Sequence, residues 1–76
     1  MNTKPDTEWT KPYYGVQHAF RNGHQCTITA YTPTMVRATV FGRYGSGCVF
    51  SDARDAPESF RSVEAAQQWC EREAMR

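Results

Sequence analysis

Histidine and cysteine, the side chains best suited to nucleophilic chemistry or metal binding, come close together in the first half of the chain. His18, His24 and Cys26 lie in one short stretch, where a histidine next to a cysteine could activate the thiol. The same groups could hold a metal ion, although the chain has no Cys-x-x-Cys pair of the usual zinc spacing. The alternation of apolar residues predicts that His18 and Cys26 both face the core, where no substrate reaches them. We therefore expect reduced cysteines that pack as small apolar residues, with no metal and no cofactor.

Two further stretches contain residue types that bind ions. Asp52, Asp55 and Glu58 could bind a cation, but their spacing does not match an EF-hand loop. Residues 42–47 are rich in glycine, as phosphate-binding loops are, but they lack the Lys-Ser/Thr ending and do not open a helix. We therefore predict that the protein is not an enzyme.

The size and composition of the chain are typical of one small domain. It has a net charge of +1 and 76 residues. That length suffices for a single small core. No apolar run approaches the ~20 residues that span a bilayer, and the first residues are too polar for a signal peptide. The odd number of cysteines (Cys26, Cys48 and Cys70) argues against a disulfide framework. We expect a cytoplasmic protein with a flexible N-terminal arm at 1–12, docked through Trp9, and one compact domain at 13–76.

Alternating residues predict antiparallel strands at 14–20, 24–31 and 35–44. Asn22-Gly23 favours a two-residue type I′ turn between the first two strands. That turn would leave Val16 and Phe20 opposite polar residues, so we instead predict a three-residue loop at 21–23 with a glycine bulge. The same reasoning places Ala30 opposite Val36 and continues the pairing along the second hairpin. One apolar sheet face results, made of Tyr14, Val16, Phe20, Cys26, Ile28, Ala30, Val36, Ala38 and Val40.

A helix near the end of the chain is predicted to cover this face. Ser62 is a good N-cap, and Val63, Ala66, Cys70 and Ala74 follow helical spacing with Trp69 on the same side. Phe60 is expected to pack back onto the helix. A short fourth strand at 48–50 and a polar loop at 51–59 would connect sheet and helix. The predicted fold class is α+β, a three- to four-stranded antiparallel meander covered on one face by a single C-terminal helix.

The opposite sheet face has an unusual charge distribution. From Tyr13 to Phe50 the chain has no Asp or Glu, and its three arginines in that stretch give it a net charge of +3. The predicted outer face thus contains no carboxylate and no lysine. Its odd-numbered members are Tyr13, Gln17, Gln25, Thr27, Thr29, Tyr31, Met35, Arg37, Thr39, Phe41 and Arg43.

Aromatic, methionine and arginine side chains are enriched at the centres of protein interfaces. We therefore predict that the outer face binds a partner. The residues predicted to contact it are Tyr31, Met35, Arg37, Thr39, Phe41, Arg43 and Arg21.

A single sheet closed by a short helix, here the segment FRSVEAAQQWCE at 60–71, resembles small phage proteins that inhibit host defences, including anti-CRISPR proteins. The resemblance lies in size and layout and covers no specific motif. It implies a non-enzymatic inhibitor that docks on a protein partner, such as a subunit of a nucleic-acid-binding CRISPR effector complex, and blocks it.

An alternative function is DNA or RNA binding through the sheet. Tyr14-Gly15-Val16, three antiparallel strands and then Phe60-x-Ser62-x-Glu64 resemble the sheet domains of plant ethylene-response factors and phage integrase arms. In those domains strand arginines contact bases or phosphates, and Arg21, Arg37 and Arg43 would be the matching residues. The small net charge departs from that pattern. A homodimer formed through an exposed strand edge is a further alternative.

Overall fold

The computed structural model describes residues 6–43 and 53–75, which form one antiparallel sheet and one helix. The sheet order is β1-β2-β3-β4, and the helix α1 follows the last strand. The elements are β1 (Val16–Arg21), β2 (His24–Thr32), β3 (Met35–Arg43), β4 (Arg54–Asp55) and α1 (Val63–Ala74). The predicted α+β fold class is confirmed. No helix within these described residues is long and apolar enough to cross a membrane.

The pairing of β2 with β3 agrees with the sequence prediction. Ile28 lies opposite Ala38, and Ala30 lies opposite Val36. Because side chains alternate along a strand, the even-numbered residues of both strands share one face. Ile28 and Val36 are fully buried there, and together with residues of the helix they form the centre of the core.

The predicted loop between β1 and β2 is wrong. Arg21 pairs with His24, so the loop has two residues. Asn22 and Gly23 have φ angles of 52° and 82°, the left-handed values that a type I′ turn requires. Asparagine and glycine adopt these angles most easily, and the intrinsic preference of the turn outweighed the burial of two apolar side chains.

The shorter loop reverses the faces of β1. Gln17 and Ala19 are buried on the helix side, whereas His18 is exposed on the other side. Val16 and Phe20, predicted to lie in the core, are only half-buried. Tyr14, also predicted as a core residue, is 88% exposed.

Polar side chains of β1 meet polar side chains of the helix. The side-chain amide of Gln67 donates a hydrogen bond of 2.8 Å to Oε1 of Gln17. Nε of Arg21 lies 3.3 Å from Oε2 of Glu71 and forms a salt bridge with it. These two pairs, which we call the β1–α1 polar seam, satisfy the polar groups that the two-residue loop turns toward the helix.

The helix begins and packs as predicted. The Ser62 hydroxyl oxygen accepts a hydrogen bond of 3.1 Å from the amide of Ala65, which caps the first turn. Ala66, Cys70 and Ala74 are fully buried. The ring centres of Phe60 and Trp69 lie 6.1 Å apart, which confirms the predicted contact of Phe60 with the helix.

The second edge of the sheet differs from the prediction. The loop predicted at 51–59 contains β4, whose Asp55 pairs with Thr39 of β3. Farther along, Phe60 and Val36 exchange two backbone hydrogen bonds of 2.7 and 2.9 Å. Residues 54–60 therefore cover much of the outer edge of β3. The strand predicted at 48–50 lies outside the described residues.

The N-terminal arm reaches β1 through a tight turn. Tyr13 and Val16 exchange backbone hydrogen bonds of 2.9 and 3.0 Å, with Tyr14 and Gly15 between them at φ angles of 51° and 80°. Part of the segment predicted as flexible is hydrogen-bonded to β1, since Thr7 and Thr10 bond to its backbone. Trp9 packs against the core.

Replacing Gly15 by alanine should destabilise the protein strongly. A Cβ atom at this position would lie 2.5 Å from the carbonyl oxygen of Ala30, and the φ angle of +80° disfavours any L side chain. We expect Gly15→Ala to lower the free energy of unfolding by about 2 kcal/mol or more, measured by urea denaturation. The control Tyr14→Ala changes the exposed neighbour in the same turn and should alter stability little. Equal stability of the two variants would contradict this account of Gly15.

Removing one side of the Gln17–Gln67 hydrogen bond should cost more than removing both. Gln67→Leu leaves the buried Gln17 amide unpaired, which should lower stability by about 1–3 kcal/mol. The double variant Gln17→Leu with Gln67→Leu should recover part of that loss. Gln68→Leu, on the exposed side of the helix, is the control and should change stability by less than about 0.5 kcal/mol. If the stability losses of Gln17→Leu and Gln67→Leu, measured singly by thermal or urea denaturation, simply add in the double variant, the two amides are not coupled.

Candidate binding surface

A shallow groove crosses the sheet face that the helix leaves uncovered. Its volume is about 540 Å³. The odd-numbered residues of β2 and β3 form its floor, because the even-numbered ones point into the core. Its lining residues are Thr27, Thr29, Tyr31, Met35, Arg37, Thr39, Asp55 and Ser59.

One end of the groove is apolar and open to solvent. Tyr31 is 66% exposed and Met35 is 52% exposed. They flank the β2–β3 turn, where Met35 pairs with Thr32. Large exposed side chains of this type contribute most of the binding energy when a partner desolvates them. Four of the predicted partner-contacting residues, Tyr31, Met35, Arg37 and Thr39, lie together in this groove.

The other end of the groove contains a carboxylate that the sequence analysis missed. Asp55 stands beside Thr39 in the β3–β4 pairing, and its Oδ1 accepts a hydrogen bond of 2.5 Å from the Thr39 hydroxyl. The prediction that the outer face carries no acidic group is therefore wrong. A two-residue strand is too short for a periodic signal, so the sequence offered no indication that Asp55 joins the sheet.

The remaining predicted contact residues are arranged differently. Phe41 is half-buried. The backbone of Arg43 ends β3, and its side chain lies outside the described part of the chain. Arg21 lies on the helix-facing side, where its guanidinium stacks 5.5 Å from the centre of the Trp9 ring and pairs with Glu71. Arg21 is therefore not part of the groove.

His18 takes a position on the outer face that the predicted loop had excluded. Its Nδ1 atom and the Thr27 hydroxyl share a hydrogen bond of 3.2 Å. Cys26 pairs with Ala19 and points into the core, on the sheet face opposite to that of His18. The sheet thus separates the imidazole from the thiol, and the predicted adjacency of His18 and Cys26 inside the core is wrong.

The tip of the first turn is a second exposed aromatic feature that sequence reasoning placed elsewhere. Tyr13 and Tyr14 are 74% and 88% exposed, and their rings meet edge to face at 4.5 Å. The β1–β2 register continues from Val16 and Thr29 toward Gly15, whose carbonyl accepts a hydrogen bond from the amide of Ala30. The tyrosines therefore lie at the same end of the sheet as the apolar end of the groove.

Comparisons with known proteins identify no relative of this chain. No protein-family model matches it, and no curated protein or solved structure is significantly similar to it. Among residues 6–43 and 53–75, no group of three or more His, Cys, Asp or Glu side chains is arranged to hold a metal ion.

Two cysteines face each other between the sheet and the helix. Cys26 of β2 and Cys70 of α1 are both free and fully buried, as expected for small apolar residues. The hydrogen bond between the two thiols, together with burial, raises the pKa of Cys70 above its ordinary value. The Cys70 thiol therefore keeps its proton in the folded protein.

Stability should fall at alkaline pH because of Cys70. The unfolded thiol ionises near its ordinary pKa of 9.0 while the folded one remains protonated, so above this pH the unfolded state binds fewer protons. For this group alone, we expect a loss of about 1.4 kcal/mol for each pH unit above the unfolded pKa. Urea denaturation at about pH 8 and about pH 10 measures the slope. Cys70→Ala should show a shallower decline than the unmodified protein, and identical slopes would contradict this assignment.

Proposed function

We propose that this protein is a non-enzymatic binding protein that docks the groove face of its sheet onto another protein. The observation that carries the proposal is the solvent exposure of Tyr31 and Met35 at the open end of a groove. An aromatic ring and a thioether side chain bury much apolar area with little loss of side-chain entropy for the ring. Threonine hydroxyls along the floor add hydrogen-bonding groups around that apolar centre.

The charges of the groove support a protein partner over nucleic acid. Arg21 is engaged by Glu71 and Trp9 on the helix side, which removes one of three arginines that phosphate contacts would need. Asp55 adds a negative charge to the groove. Nucleic-acid binding surfaces rely on several cationic side chains to neutralise phosphates. The groove contains one arginine, Arg37, and one acid, Asp55, a mixture of charges that suits a protein surface.

The layout of the molecule supports an inhibitory role. It resembles that of small phage proteins that inhibit host defences, and such proteins act by covering a surface on a larger complex. We therefore propose that docking blocks the partner, and that a cytoplasmic complex that handles nucleic acid is the first partner class to test.

Alanine substitution at the open end of the groove should weaken partner binding. A tagged protein is used to capture a partner, the partner is identified by mass spectrometry and purified, and the dissociation constant is measured by calorimetry. We expect Tyr31→Ala or Met35→Ala to weaken binding by about 30-fold, the effect of an interface hot spot. The matched control is Met75→Ala, which truncates a methionine that is even more exposed than Met35, at the C-terminal end of the helix.

Three outcomes would contradict the proposal. Met75→Ala could weaken binding as much as Met35→Ala, which would place the interface elsewhere. A second such outcome is that the tagged protein captures no partner. Finally, duplex DNA or RNA could bind with an affinity that falls steeply with salt, and Arg37→Ala could reduce that slope by about one; this result would favour the nucleic-acid alternative.

A further inference from the structure

The free edge of β1 is covered by two threonines of the N-terminal arm. The amide of Thr7 donates to the carbonyl of Phe20 at 3.2 Å, and its Oγ1 accepts from the Phe20 amide at 3.0 Å. Thr10 makes the same pair of bonds to His18, both at 3.0 Å. Each threonine thus satisfies both backbone groups of one β1 residue. The arm replaces a fifth strand along an edge that would otherwise be open to strand addition.

Trp9 anchors the arm between these two threonines. Its ring packs against the core cluster and lies under the Arg21 guanidinium. The indole Nε1 is buried and has no hydrogen-bond partner in the described part of the chain. The arm therefore binds through one large side chain and a short set of edge bonds, as a separate peptide would bind to a sheet edge.

The turn that joins the arm to β1 is strained. Tyr14 has a φ angle of 51°, in the left-handed region that a bulky L side chain rarely adopts. The side chain is 88% exposed and meets the Tyr13 ring at the surface, so burial in the core does not compensate the strain. Gly15 follows at φ 80° without such a cost, which confines the strain to one residue.

We propose that the arm exchanges between two copies of this chain, with the turn at Tyr14 as the hinge. When the hinge extends, Thr7, Trp9 and Thr10 of one copy occupy the β1 edge and the Trp9 site of the other. The contacts of the arm are the same in both forms, since each copy gives and receives one arm. Exchange removes the left-handed strain at two hinges. Against this, it breaks the Tyr13–Val16 backbone hydrogen bonds of each turn, and association costs translational freedom. The balance makes the dimer depend on protein concentration. This inference does not rest on the proposed docking function.

The hinge variants Tyr14→Gly and Tyr14→Ala test the source of the driving force. Dimerisation of the full chain is measured by sedimentation equilibrium across micromolar to millimolar concentrations. Glycine tolerates the positive φ, so Tyr14→Gly should raise the dimer dissociation constant at least about 25-fold, about fivefold for each hinge. Tyr14→Ala removes the same ring but keeps the strain, so its dissociation constant should stay within about threefold of the unmodified value.

A hinge too short to turn back should make exchange obligatory. We expect deletion of residues 13–14 to give a folded dimer at every concentration, because the arm no longer reaches its own β1 edge. Near-ultraviolet circular dichroism checks that this variant is folded. Should it fail to fold, the pair of Tyr14 variants still decides the question.

The position of the arm in the dimer is read directly from nuclear Overhauser effects. In an equal mixture of isotope-labelled and unlabelled chains, exchange predicts intermolecular effects between Thr7 and Phe20 and between Trp9 and Arg21. The inference is overturned if the unmodified chain is monomeric at all concentrations. It is equally overturned if a dimer forms without these intermolecular effects, or if Tyr14→Gly and Tyr14→Ala dimerise alike.

Discussion

The two-residue turn at Asn22-Gly23 constrains most of the rest of this structure. Both residues take left-handed φ angles, and these angles close the hairpin with Arg21 opposite His24. A strand has a period of two, so the length of this turn decides which residues of β1 face the helix. A loop one residue longer would have moved every β1 side chain to the other face.

The packing of the helix follows from that turn. Gln17 and Arg21 point toward α1. There Gln17 is hydrogen-bonded to Gln67, and Arg21 forms a salt bridge with Glu71. The turn itself also contacts the helix, since the side-chain amide of Asn22 donates a 2.8 Å hydrogen bond to the carbonyl oxygen of Ala74. Asn22 therefore both sets the register and satisfies one of the last helix carbonyls, which otherwise have no intrahelical donor. The polar seam and this cap hold β1 against α1, whereas apolar contacts hold β2 and β3 against it.

The same constraint shapes the surface. Because β1 turns Arg21 inward, the outer face carries less positive charge than the sequence pattern suggested. Residues 54–60 along β3 and the arm along β1 cover both edges of the sheet and leave the groove between them as the open apolar surface. The groove end at Tyr31 and the tip at Tyr14 lie together at one end of the molecule. A docking function and an exchangeable arm would thus use neighbouring parts of the same end.

The sequence by itself determined the elements with strong local or periodic signals. The β2–β3 hairpin was predictable because its core residues alternate with polar ones from Cys26 to Ala30 and from Val36 to Val40. The helix α1 was predictable from the Ser62 cap and the spacing of Ala66 and Cys70. Tyr31, Met35, Arg37 and Thr39 could be placed on one face for the same reason. Only the tertiary structure decided the face of β1, since turn geometry and apolar burial favoured opposite answers. Burial looked stronger in the sequence because the partners that compensate Gln17 and Arg21 lie on a helix 50 residues away. Asp55 joined the groove through a strand too short to have a period, so its place on the surface came from pairing with β3 alone.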